Sequence, residues 1–134
     1  MRISIFDGTV SFEHGSIRRS FDRAQFLESP VGRSAKESLA NEDWKHYEID
    51  PETGVAGTVL FKGDDIDRIF LAMRMDTDDS GEWTVEHEFE RKAKHEQWLR
   101  KELGRAPYRY HWGRVVSEFD PKGLASEIII VYER

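Results

Sequence analysis

The sequence predicts an α+β fold: an antiparallel sheet with one long helix from the C-terminal half and a shorter N-terminal helical segment packed on it. Three observations carry this. Apolar and polar residues alternate through several short segments separated by turn residues rather than by helices. Residues 84–103 instead show helical periodicity, with Thr84 placed to cap them and Gly104 to stop them, and Pro107 lies beyond. The elements come in runs, in the order ββ-α-βββ-α-βββ, whereas a doubly wound parallel sheet needs strands and helices to alternate. A length of 134 residues suits one domain, 1–134, with one core.

The clearest local signal is at the start. Residues 2–6 and 9–13 flank Asp7-Gly8, a two-residue hairpin turn whose positions favour positive φ. In that register Ile5 faces Val10 and Ile3 faces Phe12 on a buried side. Ser4 faces Ser11 and Arg2 faces Glu13 on a polar side. A short helix is expected after Ser20 as cap, with Asp22 in its first turn and Phe21, Ala24 and Leu27 on its apolar side. Ser29-Pro30 then reads as a second cap with proline at the first helical position, opening a segment through Val31, Ala35 and Leu39 to Asn41.

Three strands follow, at 45–50, 56–62 and 66–75, with turns at 51–54 and 62–65. In the third, Ile69, Leu71, Met73 and Met75 share one face, and Arg68 and Arg74 the other. The long helix should bury Val85, Phe89, Ala93, Leu99 and Leu103, with Trp98 at the edge of the stripe. Glu82, Glu86, Glu88 and Glu90 at its start and Arg100 and Lys101 at its end suit the helix dipole. The last strands are expected at 108–110, 114–120 and 126–133, with Asp120-Pro121-Lys122-Gly123 turning between the final two. The helices should share one face of the sheet.

Composition narrows the function. The net charge of −6 argues against a general nucleic-acid binder, because such a surface repels phosphate on average and attracts a basic partner. Cysteine is absent, so no disulfide framework, thiolate metal site or cysteine nucleophile exists. The N-terminal apolar stretch is broken by Asp7 and Gly8, too early for a signal-peptide core. The longest apolar run, 128–132, falls far short of the ~20 residues that span a bilayer. Cytoplasmic residence, with no membrane association, is the expectation.

Candidate chemistry fails at each position where it is sought. His87 and His95 share the long helix but lie about 12 Å apart along its axis. They cannot chelate one ion, and His14, His46 and His111 are scattered over other segments. The stretch Asp76-Thr77-Asp78-Asp79-Ser80-Gly81 places oxygen ligands and a glycine as a calcium loop does. However, His87 stands where such a loop needs its bidentate glutamate, and the preceding element reads as a strand. The pairs Glu118 with Asp120 and Glu86 with Glu90 have spacings common on exposed faces. Gly54 and Gly57 lack a phosphate-loop context, and Ser16, Ser80 and Ser117 lack a nucleophile elbow. No catalytic residue, metal or cofactor is expected.

Aromatic residues cluster around the end of the long helix. His95 and Trp98 are followed closely by Tyr108, Tyr110, His111 and Trp112. Such residues dominate interface hot spots and equally make core between a helix and a sheet. Both roles stay open, with the polar tips, His111 and Arg114 expected nearer the surface.

The phrase KHEQWLRKELGRAPYRYHWGRVVSEFDPKGLASEIIIVYE, with FLESPVG and NEDWKHYEI upstream, resembles a group of small bacterial proteins associated with polymorphic-toxin loci. Genes of that kind encode immunity proteins. The resemblance spans 21–132 and rests on Trp98, Leu99, Gly104, Pro107, Trp112, Gly113, Asp120 and Ser126. It implies stoichiometric inhibition of a cognate toxin and supplies no catalytic residue. A basic toxin domain would be steered by Asp64, Asp65, Asp76, Asp78 and Asp79, on turns bordering the sheet. The alternative is a small-molecule site or an unfamiliar enzyme, with His95, Trp98, Tyr110, His111 and Trp112 lining a cleft between the long helix and the sheet.

Overall fold

The N-terminal segment folds as three short antiparallel strands, β1 (Arg2–Ile3), β2 (Val10–Phe12) and β3 (Gly15–Ile17). The fold is a computed structural model that describes residues 1–50, 55–76, 78, 81 and 83–134. The expected turn at 51–54, and Thr77, Asp79, Ser80 and Glu82, lie outside the described residues. The β1–β2 turn is longer than expected: Ile3 pairs with Val10, two positions from the tight-hairpin register. An even shift keeps every side chain on its face, so Ile3, Val10 and Phe12 are buried as expected and only Ile5 leaves the core. The loop widens because it is held from outside. Trp112 Nε1–H donates to the Ile5 carbonyl at 2.9 Å, and the Tyr132 hydroxyl donates to the Gly8 carbonyl at 2.6 Å.

Helix α1 (Arg23–Glu28) starts later than expected, with Asp22 rather than Ser20 as its cap. Asp22 Oδ1 accepts from the Gln25 N–H at 2.7 Å, and Gln25 Oε1 accepts from the Asp22 N–H at 2.9 Å. That reciprocal pair satisfies two orphan donors at once, which a lone serine cannot do. Helix α2 (Pro30–Arg33) opens at Ser29-Pro30 as read, then stops. The helical continuation to Asn41 does not form; residues there make strand β4 (Lys36–Ala40) instead. As a helix this stretch had few apolar side chains to bury, and Leu39 is 66% exposed even now. Pairing with the next strand satisfies its backbone, and tertiary pairing overrides local propensity.

The remaining elements are β5 (Trp44–Ile49), β6 (Val55–Lys62), β7 (Asp65–Met73), α3 (Val85–Leu103), β8 (Tyr108–Tyr110), β9 (Gly113–Asp120) and β10 (Ala125–Tyr132). They lie close to the expected positions. One antiparallel sheet joins seven strands in the order β4-β5-β6-β7-β10-β9-β8. The cross-strand row Tyr47, Val59, Ile69, Ile130 and Val115 marks its inner face, and all five are buried. Phe26 of α1 packs its ring on Tyr47 and Phe61, 5.7 and 5.3 Å between centroids. Leu99 of α3, Val31 of α2 and Ile3, Val10 and Ile17 of the small sheet join the same cluster. The helices therefore share one face, as expected.

The long helix is rotated from the expected stripe. Phe89 is 52% exposed and Ala93 faces solvent, while His87, Glu88, Arg91, His95 and Leu99 point inward. Of the expected stripe Leu99 is buried and Leu103 packs against the core, but Phe89 and Ala93 are displaced because the inner side of the N-terminal half of the helix is polar.

Gly113 opens β9 at φ 150°, where a Cβ would stand 1.9 Å from the Val131 carbonyl oxygen. Backbone, not a movable side chain, blocks it. Gly113→Ala should cost about 2–4 kcal/mol, read as a lower urea midpoint at unchanged m-value.

Candidate functional site

The inward face of α3 holds the densest polar chemistry of the molecule. Arg91 donates to both carboxylate oxygens of Asp78, at 2.5 and 3.1 Å, and to Glu88 Oε1 at 3.1 Å. It also donates to the Met73 carbonyl. Glu88 in turn accepts from the Ser126 N–H at 2.9 Å and from Trp83 Nε1 at 3.1 Å. Asp78 accepts from the Met75 N–H at 2.8 Å, and its Oδ1 lies 3.0 Å from His87 Nε2. This network ties α3 to the end of β7 and the start of β10. The three α3 members recur at helical spacing on one side, where Glu88 and Arg91 are an i, i+3 pair.

Its electrostatics suit structure better than proton transfer. The Arg91 guanidinium holds the Asp78 carboxyl well below the usual carboxylate range. Burial pushes Glu88 up, but the Ser126 N–H and Arg91 outweigh it and keep it below its ordinary value. His95, fully buried, accepts the Met73 N–H on Nε2 at 2.9 Å. Its proton therefore sits on Nδ1, which meets no acceptor among the described residues. Burial and the nearby Arg91 charge lower its pKa to about 4. A general acid or base works best with a pKa near the operating pH, and these three groups are all moved away from it. Among the described residues no group of three or more histidine, aspartate or glutamate side chains is placed to hold a metal ion.

The residues of the expected ligand cleft have different surroundings. His95 is enclosed between α3 and β7. Trp112 is buried and stacks on Tyr110, 5.1 Å apart at 13°. His111 is exposed and shares a shallow polar depression with Arg18, Arg19 and the edge of Trp112. Trp98 is half-buried at the margin of the core. The aromatic cluster is thus mostly core, with His111 on the surface.

The acidic residues separate likewise. Asp64 is 79% exposed at the side chain, 3.9 Å from Arg23. Asp65 and Asp76 are exposed, while the Asp78 carboxylate is spent on Arg91, Met75 and His87.

Nothing in the sequence pattern points to the outer face of the sheet. All three helices and the small sheet cover the inner face. Outward, Thr58, Phe70, Ile129 and Val116 form a partly exposed row across four strands. Arg68 and Arg114 flank it on one side, and Glu127 and Glu118, paired directly opposite each other, on the other. Burial and the neighbouring Asp120 and Glu118 charges raise the Glu127 pKa. Like charges set face to face weaken a sheet.

Fold and surface together define an α+β protein whose buried charges are paired internally and whose broad outer sheet face is partly exposed. No family model matches the chain, and no curated protein matches it. Among solved structures it is similar to a chain of the complex of Rhs1-CT with its cognate immunity protein RhsI1. The TM-score is 0.62 at 15% identity, over 99% of this chain and 87% of that one. At that identity the likeness is one of fold. It agrees with the resemblance to immunity-like proteins carried by residues 21–132. No helix among the described residues is long and apolar enough to cross a membrane.

Two outcomes test the network. Arg91→Met should cost about 3–5 kcal/mol at pH 7, since it leaves the buried Glu88 carboxylate and the partly exposed Asp78 carboxylate without their cation, and the deficit should shrink as acid protonates them. His95 has a folded pKa of about 4 against 6.5, so the unfolded chain protonates first. Its contribution, roughly 3 kcal/mol, is present above pH 6.5 and lost as pH falls towards 4. In His95→Gln, which does not titrate, the urea midpoint should fall less between pH 7 and 5 than in the parent; equal declines refute the assignment.

Proposed function

We propose that this chain is a non-catalytic binding protein of the immunity type, neutralising a cognate bacterial toxin in the cytoplasm by stoichiometric protein–protein contact. The observation that carries the reading is the fold shared over 99% of the chain with a chain of a toxin–immunity complex. Two features of this molecule support it. The buried titratable groups are poorly placed for catalysis, and the outer sheet face offers an apolar row between charged borders, the composition of a protein interface.

The partner is a basic domain. Asp64, Asp65 and Asp76 contribute to the field that steers it, on a chain whose net charge is −6. Asp78 belongs to the same stretch but acts by holding it against Arg91. Asp79 completes the proposed acidic group.

Where a toxin domain is encoded beside this gene, its co-expression with this chain should restore growth, and the purified pair should form a one-to-one complex. Continued killing despite soluble expression of both chains removes the proposal. Replacing Asp64, Asp65 and Asp76 with lysine should slow association about tenfold at low salt and flatten its salt dependence, while dissociation changes little. Stopped-flow mixing with that toxin domain reads both.

A further inference from the structure

Strand β8 is too short for its neighbour. It pairs with β9 only at Gly113, Arg114 and Val115, leaving residues 116–120 of β9 without a partner on that side among the described residues. The Glu133 N–H donates to the Trp112 carbonyl at 2.9 Å, which fixes the alternation along β9. Even-numbered residues then point their backbone groups at β10, and Ser117 and Phe119 point theirs outward. The free stretch is about 17 Å long, the length of an ordinary strand.

The opposite edge of the same sheet is protected. Edge strands are commonly blunted by bulges, charges or proline. β4 has a register break between Glu37 and Leu39 and begins with Lys36. β9 pairs with β10 in unbroken register from Gly113 to Asp120 and contains no proline. Its free part, Val-Ser-Glu-Phe-Asp, carries two acids but neither bulge nor proline interrupts its backbone.

A groove fits this edge. It has a volume of about 780 Å³ and runs between β9 and the outer side of α3. Ala93, Leu99, Ala106, Pro107, Tyr108 and Val115 form its apolar lining. Outside that lining, Phe89 and Phe119 make a second contact between α3 and β9, 5.0 Å between ring centroids. The Ser117 Oγ lies in the groove wall, buried and without a hydrogen-bond partner among the described residues. Its lining carries Arg100 and Arg105 on the α3 side and Arg109 and Arg114, cross-strand partners, on the outer-face side, against the single acid Glu96. Among the described residues only Arg114 of these four arginines is seen in an ion pair, with Glu133 at 3.1 Å. On a chain of net charge −6 this is a local reversal of sign.

We infer that the β9 edge is a strand-addition site for an extended acidic peptide segment of a partner protein. The segment pairs its backbone with Ser117 and Phe119, seats alternate apolar side chains in the groove, and presents carboxylates to Arg100, Arg105 and Arg109. Main-chain pairing supplies affinity, while the apolar lining and arginine rim supply selectivity. The site does not depend on the partner being a toxin.

The test uses the whole chain labelled with nitrogen-15 and three blocked octapeptides of alternating valine and polar residues. One has glutamate at the polar positions, one has lysine, and one is the glutamate peptide N-methylated on alternate backbone nitrogens. The glutamate peptide is expected to shift the Ser117 and Phe119 amide resonances and slow their hydrogen exchange at least tenfold. The lysine and N-methylated peptides should do neither. Ser117→Pro, which removes an outward N–H while the β10 ladder stays intact, should abolish the effect. So should Arg105→Glu combined with Arg109→Glu, which alters only exposed rim charges. Amides unmoved by millimolar glutamate peptide overturn the inference. Equal binding of the N-methylated peptide also overturns it, in favour of simple anion capture. Protection of the same amides without peptide, growing with protein concentration, overturns it in favour of pairing between two copies of this chain.

Discussion

The buried guanidinium of Arg91 is the constraint around which the structure is arranged. It bridges α3, the end of β7 and the Asp78 turn, and through Glu88 it reaches the start of β10. A buried charge must be paired, so these partners must all arrive for the helix to dock. An apolar stripe on α3 would tolerate sliding and rotation. A guanidinium with fixed donor directions accepts one rotation and one height of the helix. Similar volumes of hydrocarbon often stabilise a core as well or better, so the network is best understood as fixing geometry.

Much of the fold was legible because strand signals in this chain are local and redundant. The alternation in β7 and β10, the capping threonine and terminating Gly104 of α3, and the Ser29-Pro30 cap all reflect chemistry within a few residues. What escaped depended on distant partners. Nothing near residues 36–40 says that β5 will pair with them. The inward face of α3 was misread because periodicity seeks apolar residues, while Glu88, Arg91 and His95 find their partners on β7 and β10. A residue such as Trp112 could be placed in a cluster but not assigned to core, since its indole N–H finds its acceptor more than a hundred residues away in the N-terminal loop.

The candidate surfaces were harder to foresee than the core. Exposed aspartates can be read from a sequence, and Asp64 stands where expected. An open sheet face cannot, because it exists only once every helix has chosen the other side. The same holds for the unequal edges: β4 is disrupted and charged, β9 regular and half-covered, and the difference comes from how far β8 runs before the chain turns at Tyr110. The surfaces proposed for binding are thus what the fold leaves unfinished rather than any motif.

The last strand, β10, lies inside the sheet, between β7 and β9. During synthesis, β4 to β7 are made long before the strand that completes their hydrogen bonding and fills the row through Ile128 and Ile130. The Gly8 loop waits equally long for the Tyr132 hydroxyl. Cooperative closure of the core is therefore postponed until β10 has left the ribosomal tunnel, and until then the flank of β7 lacks its partner strand.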